Sequence, residues 1–140
     1  MTKITTENFN QLIQEELPWA AENGISAESI RTGEAELRLP FQQRSLRPGS
    51  TIAGPQMMML ADACMYAVLL GSIGAVRLAV TTNLNINFLR KPAHCDLIAK
   101  GKMIKLGKRL AVMEVSIHSD TDIVAHATGT YSIPPAGVTD

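Results

Sequence analysis

Apolar residues first recur at helical spacing. Phe9, Leu12, Ile13 and Leu17 lie in TENFNQLIQEEL behind a capping-type Thr6, and Pro18 closes the run, so the pattern predicts a short amphipathic helix over 6–17. The period then shortens. Ala35, Leu37 and Leu39 alternate with charged residues beyond Thr32-Gly33, which predicts a β-hairpin between Ile25 and Phe41. Residues 42–52 are polar, carry Pro48-Gly49 and read as an irregular loop.

From Gly54-Pro55 the segment QMMMLADACMYAVLLGSIG is apolar around nearly its whole circumference, with Pro55 suited to a first helical turn and Gly71 and Gly74 as stops. Such a helix, over about 54–74, has to be enclosed rather than laid on a surface. Alternation then returns: Leu84, Ile86 and Phe88 interleave with Asn83, Asn85 and Asn87 as far as Arg90-Lys91-Pro92. Runs at 96–106, 109–119 and 123–133, separated by Gly107-Lys108 and by residues 119–122, predict an antiparallel meander. Residues 134–140 read as a frayed tail. Helix, hairpin, one apolar helix and four strands together predict an α+β fold in which a sheet wraps a central buried helix.

A chain of 140 residues, 46% of them hydrophobic, has the size of one domain over 1–140. Thirteen Lys and Arg against thirteen Asp and Glu leave no general attraction for nucleic acid or an anionic membrane, and the six aromatic residues are scattered. The apolar stretch 55–76 carries Gln56, Asp62 and Ser72, which argues against a membrane span. Cys64 and Cys95 form no CxxC pair and the N-terminus has no apolar signal core, so the expected location is cytoplasmic with reduced thiols.

Asp62 is the only charged residue between Arg47 and Arg77, a carboxylate that loses hydration inside an apolar helix. It is either chemically active, or it caps a backbone amide or sits at a subunit contact. Gly54, at the helix N-terminus, has an N–H without an intrahelical partner that suits a developing oxyanion; alternatively it only makes a turn. Eight residues of helix set the two about 12 Å apart, too far to act on one carbonyl. Two copies packed antiparallel about a two-fold axis would bring Gly54 of one to Asp62 of the other, which makes a homodimer a requirement.

Thr81 offers a hydroxyl to orient Asp62 or its water, unless it is there for strand propensity alone. Asn83, Asn85 and Asn87 line a pocket or face solvent. Arg90, Lys91, Lys100, Lys102, Lys105, Lys108 and Arg109 suit the phosphates of a bulky substrate or a solvated strand edge. Gln56, Asn85, Arg90, Lys91, Lys108 and Arg109 are the candidate substrate contacts. His94, His118 and His126 have no metal-ligand spacing, and GxSxG, P-loop and GxGxxG motifs do not occur.

The blocks IAGPQMMMLADACMY, AVTTNLNINFLRKP, GKRLAVMEVSI and IVAHATGTYSI occur in the order of, and resemble, the hotdog-fold acyl-CoA thioesterases of the phenylacetate-degradation type, from about Ile25 to Ile133. The resemblance implies a hotdog fold, a homodimer with active sites at its interface, frequent assembly into tetramers, hydrolysis of an acyl thioester, and no metal or redox cofactor. It places the oxyanion amide on Gly54, the nucleophile or general base on Asp62, and the water-positioning hydroxyl on Thr81. Two positions depart from the pattern: Ala53 stands for the motif histidine and Pro55 for the second motif glycine, while Arg47 stands where some relatives carry a polar residue. The alternatives are a non-catalytic hotdog module that binds acyl-CoA and a hydratase on the same fold.

Overall fold

The computed structural model describes residues 2–135, so positions 136–140 of the expected frayed tail lie outside the described residues. Helix α1 spans Thr6–Glu16, and its cap is Thr5 rather than Thr6: the Thr5 hydroxyl accepts the Asn8 N–H at 3.0 Å. Pro18 does more than end this helix. Its fixed φ suits a first helical position, and it opens a second short helix, α2 (Pro18–Ala21), which carries Trp19.

The expected hairpin forms as β1 (Ser26–Arg31) and β2 (Glu34–Leu39), with Gly33 at φ 82° in its turn. Asn10 of α1 finishes the free edge of β1, its Nδ2 donating to Ala27 O at 3.3 Å and its Oδ1 accepting from Ala27 N at 2.7 Å. The loop expected over 42–52 contains a 3-10 turn (Gln43–Ser45) and a small ribbon of two strands, β3 (Leu46–Arg47) and β4 (Thr51–Ile52).

The apolar helix α3 spans Gly54–Ile73, and every residue from Ala63 to Gly71 is buried. By length and composition it would suit a bilayer, yet 72% of that window is buried inside the protein. The sheet closes on it tightly. A Cβ on Gly101 would lie 2.8 Å from both Cys64 Sγ and Val68 Cγ2, so glycine lets the strand touch the helix.

The remaining strands are β5 (Val80–Phe88), β6 (Leu97–Leu106), β7 (Leu110–Ser119) and β8 (Asp122–Ser132). Sheet order is β1-β2-β6-β7-β8-β5, antiparallel throughout. Strands β6 to β8 make the expected meander, whereas β5 crosses to the far side of β8 and becomes an edge. Its register sets Thr81 opposite Tyr131 and Phe88 opposite Ala125, with a bulge between Thr81 and Asn83. Along this nine-residue edge Val80 is 57% and Phe88 50% exposed.

Candidate active site

Asp62 faces the place where β5 and the end of β8 meet α3. The Thr81 hydroxyl donates to Asp62 Oδ1 at 2.7 Å, and the Tyr131 hydroxyl reaches the same oxygen at 2.7 Å and lies 3.1 Å from Asp62 O. Because Thr81 and Tyr131 are opposed on neighbouring strands, the sheet register delivers two hydroxyls to one carboxylate oxygen. Tyr131 is buried, and burial, reinforced by the charge of Asp62, holds its phenol far above the ordinary range, so it remains a donor. Its ring stacks on Tyr66 at 6.1 Å and 20°, and Tyr66 OH donates to Arg77 O at 3.0 Å. Among the described residues Oδ2 of Asp62 has no hydrogen-bond partner. Over it lies a pocket of about 250 Å³ walled by Leu17, Trp19, Ala79 and Val80.

The other end of the candidate site is the start of α3. Ala53, in the N-cap position, has no side chain to cap the helix and donates its own N–H to Ser45 O at 2.9 Å. Pro55 has no N–H and Gln56 N donates to Ala53 O at 3.0 Å, which leaves the Gly54 N–H at the positive end of the helix dipole. Gly54 lines a second pocket of about 600 Å³, together with Arg47, Phe88, Arg90 and Lys91. A Cβ on Gly54 would come within 3.1 Å of Phe88 Cζ, so the ring packs directly on the glycine.

Asp62 and Gly54 therefore open into different pockets. The structure brings Thr81 to Asp62, and Arg90 and Lys91 to Gly54. Arg90 pairs with Asp122 at 3.3 Å and Lys91 Nζ donates to Gly49 O at 3.1 Å. Lys108 and Arg109 sit in the turn between β6 and β7, level with the Val80 end of β5 but separated from it by β8, and Arg109 Nε donates to Ile133 O at 3.0 Å. Lys100 and Lys102 project from the sheet face away from α3, among Glu34, Glu36 and Glu114. Asn83, Asn85 and Asn87 are exposed on β5, and Gln56 Oε1 is buried with no hydrogen-bond donor among the described residues. Tyr131 was not among the sequence candidates. Its signal, a lone tyrosine in a strand run, is indistinguishable from β-propensity until the register is known.

Comparison with known proteins narrows the chemistry. The model of the thioesterase superfamily matches residues 49–126, more than half of the chain. A curated protein of Thermoplasma acidophilum is 28% identical over 105 residues, covering 74% of this chain and 79% of its own. A crystal structure from Silicibacter sp. TM1040 is 37% identical with a TM-score of 0.86, covering 96% of this chain and 95% of that one. These two carry the names "putative esterase" and "putative thioesterase". A mutant form of the phenylacetic acid degradation protein of Thermus thermophilus shares the fold at a TM-score of 0.76 and 21% identity, with 84% of this chain and 99% of that one covered. A long apolar helix wrapped by a six-stranded antiparallel sheet, matched by the family model along the segment that holds both Gly54 and Asp62, makes this chain a hotdog-fold enzyme of the thioesterase superfamily, a hydrolase of acyl thioesters.

Proposed function

We propose that the chain is a homodimeric acyl-CoA thioesterase whose Asp62 activates the hydrolytic water. Asp62 Oδ2 removes a proton from water as the water oxygen attacks the thioester carbonyl carbon. The Gly54 N–H of the second copy and the dipole of its α3 stabilise the tetrahedral oxyanion. Collapse breaks the C–S bond; the thiolate leaves and takes up a proton, and the acyl group departs as a carboxylate. Thr81 and Tyr131 hold Oδ1, so that Oδ2 is the oxygen directed at water.

The observation that carries this reading is the double hydroxyl anchor on Asp62, set about 12 Å along the helix from the Gly54 N–H, which no side chain caps. A two-fold pairing of the open β5 edges would join the two ends, covering Val80 and Phe88 and extending the sheet across both copies. It would also set Lys108 and Arg109 of one copy near Arg90 and Lys91 of the other, a single basic rim for the phosphates of CoA. Gln56 and Asn85 lie where the same interface would form, and assembly of two dimers into a tetramer is consistent with it. A cytoplasmic location fits two free thiols and a CoA ester substrate.

The test is free-thiol release from acyl-CoAs by the wild type beside Asp62→Asn. Loss of turnover with retained binding supports the assignment. Undiminished hydrolysis by the variant would refute it. Because Ala53 replaces the motif histidine, tight binding without turnover in the wild type would favour an acyl-CoA binding module.

A further inference from the structure

Resting on the thioesterase reading, we propose that the pocket over Asp62 is an acyl site selective for unsubstituted apolar acyl groups, aliphatic or aryl, with Trp19 as its specificity-determining wall. The walls are apolar: Leu17 and Trp19 on one side, Ala79 and Val80 on the other. The polar groups that line the pocket are already engaged. The Thr81 and Tyr131 hydroxyls are held by Asp62, Tyr66 OH donates to Arg77 O at 3.0 Å, and the Arg77 guanidinium pairs with Glu16. The O–H donors of Thr81, Tyr131 and Tyr66 are thus committed within the protein and donate to no hydroxyl on the acyl chain, and an acyl carboxylate would meet the charge of Asp62 beside an Arg77 cation already paired with Glu16.

Size points the same way. About 250 Å³ lies below the range of roughly 300–1,000 Å³ that encloses a drug-sized ligand, so the pocket takes the acyl group and not the carrier. The carrier falls to the larger, basic pocket at Gly54.

The backbone that carries Trp19 is tied to its neighbours, while the residue itself is 40% exposed. It stands at the second position of α2, its carbonyl accepts from Asn23 Nδ2 at 2.8 Å, and the same Asn23 nitrogen lies 3.5 Å from Met59 Sδ of α3. Leu17, Trp19 and Tyr131 also lie outside residues 49–126, the part that matches the superfamily model.

The experiment measures kcat/KM for wild type, Trp19→Ala and Trp19→Phe on a straight-chain series from acetyl- to palmitoyl-CoA and on matched pairs: octanoyl- and 3-hydroxyoctanoyl-CoA, phenylacetyl- and 4-hydroxyphenylacetyl-CoA, with glutaryl-CoA as the anionic member. Wild type is expected to prefer the unsubstituted partner of each pair by about tenfold to a hundredfold. Trp19→Ala should shift the optimum towards longer chains and lower the ratio of phenylacetyl- to acetyl-CoA turnover by about tenfold, with Trp19→Phe restoring most of that ratio. Brisk hydrolysis that ignores the hydroxyl, or an acyl profile that Trp19→Ala leaves untouched, would overturn the proposal while the thioesterase reading stands. No thiol release from any member by the wild type would overturn both.

Discussion

The start and the middle of the central helix carry opposite chemistry on one rigid element. At Asp62 the backbone is deep in the core and the carboxylate is held by two hydroxyls from neighbouring strands, each at 2.7 Å. At Gly54 the helix starts half-buried against the Phe88 ring, uncapped by any side chain, beside a larger pocket with a basic rim. One end is an acceptor fixed by packing; the other is a donor exposed by its absence of a cap. Neither completes a hydrolytic site alone, and the edge strand between them is the surface left unpaired. The contrast teaches that one chain carries two separated half-sites, which the proposed dimer would join across a second copy.

The strongest way to break the acceptor end is Asp62→Asn, which keeps the shape and removes the base. Its expected cost is about 10²- to 10⁴-fold in kcat, measured by steady-state thiol release. At the donor end, Gly54→Pro removes the N–H at a helical position that tolerates proline, the half-exposed Phe88 ring giving way slightly to the added Cβ, and should cost about 10²- to 10³-fold, with little change in the far-UV CD spectrum. Tyr131→Phe and Thr81→Val each release one of the two anchors on Oδ1. Each is expected to lower kcat by roughly tenfold with KM nearly unchanged, and in an Asp62→Asn background neither should lower the residual rate further. A further loss in that background would mean the hydroxyls act on substrate instead of on Asp62.

The smallest effect belongs to neither end. Asp96 accepts the Phe41 N–H at 2.9 Å and pairs with Arg38 at 3.0 Å; the Phe41 bond, then Arg38, holds its carboxyl below the usual carboxylate range. A lowered native pKa contributes stability above the unfolded value, and that contribution is lost as pH falls through the native one. Asp96→Asn should therefore lower Tm slightly near neutral pH and not at all in strong acid, with kcat unaltered; an equal shift at both pH values would contradict the assignment.

Sequence made the acceptor end half legible. Asp62 stood out as the lone charge in an apolar helix, and Thr81 lay close enough downstream to be weighed with it. Tyr131 was invisible because it meets Asp62 across 69 residues of chain, through a strand order in which β5 leaves the meander and docks beyond β8. Local periodicity sets the existence of strands but not which edge each one takes. Pro18 shows the same limit: it was legible as a stop, and its second role, launching the turn that carries Trp19 to the pocket, depends on tertiary contact. The separation of Gly54 from Asp62 needed only the helical rise, and so it was legible from the start.

The central claim is that one working site uses Asp62 of one copy and Gly54 of the other. The direct test mixes inactive Asp62→Asn and inactive Gly54→Pro proteins under subunit exchange and follows thiol release. A composite site gives half heterodimers, each with one intact site, so the mixture should recover roughly a quarter of wild-type activity. If the mixture stays as inactive as its components while exchange is verified by mass, the two half-sites do not join across the dimer and the account is wrong.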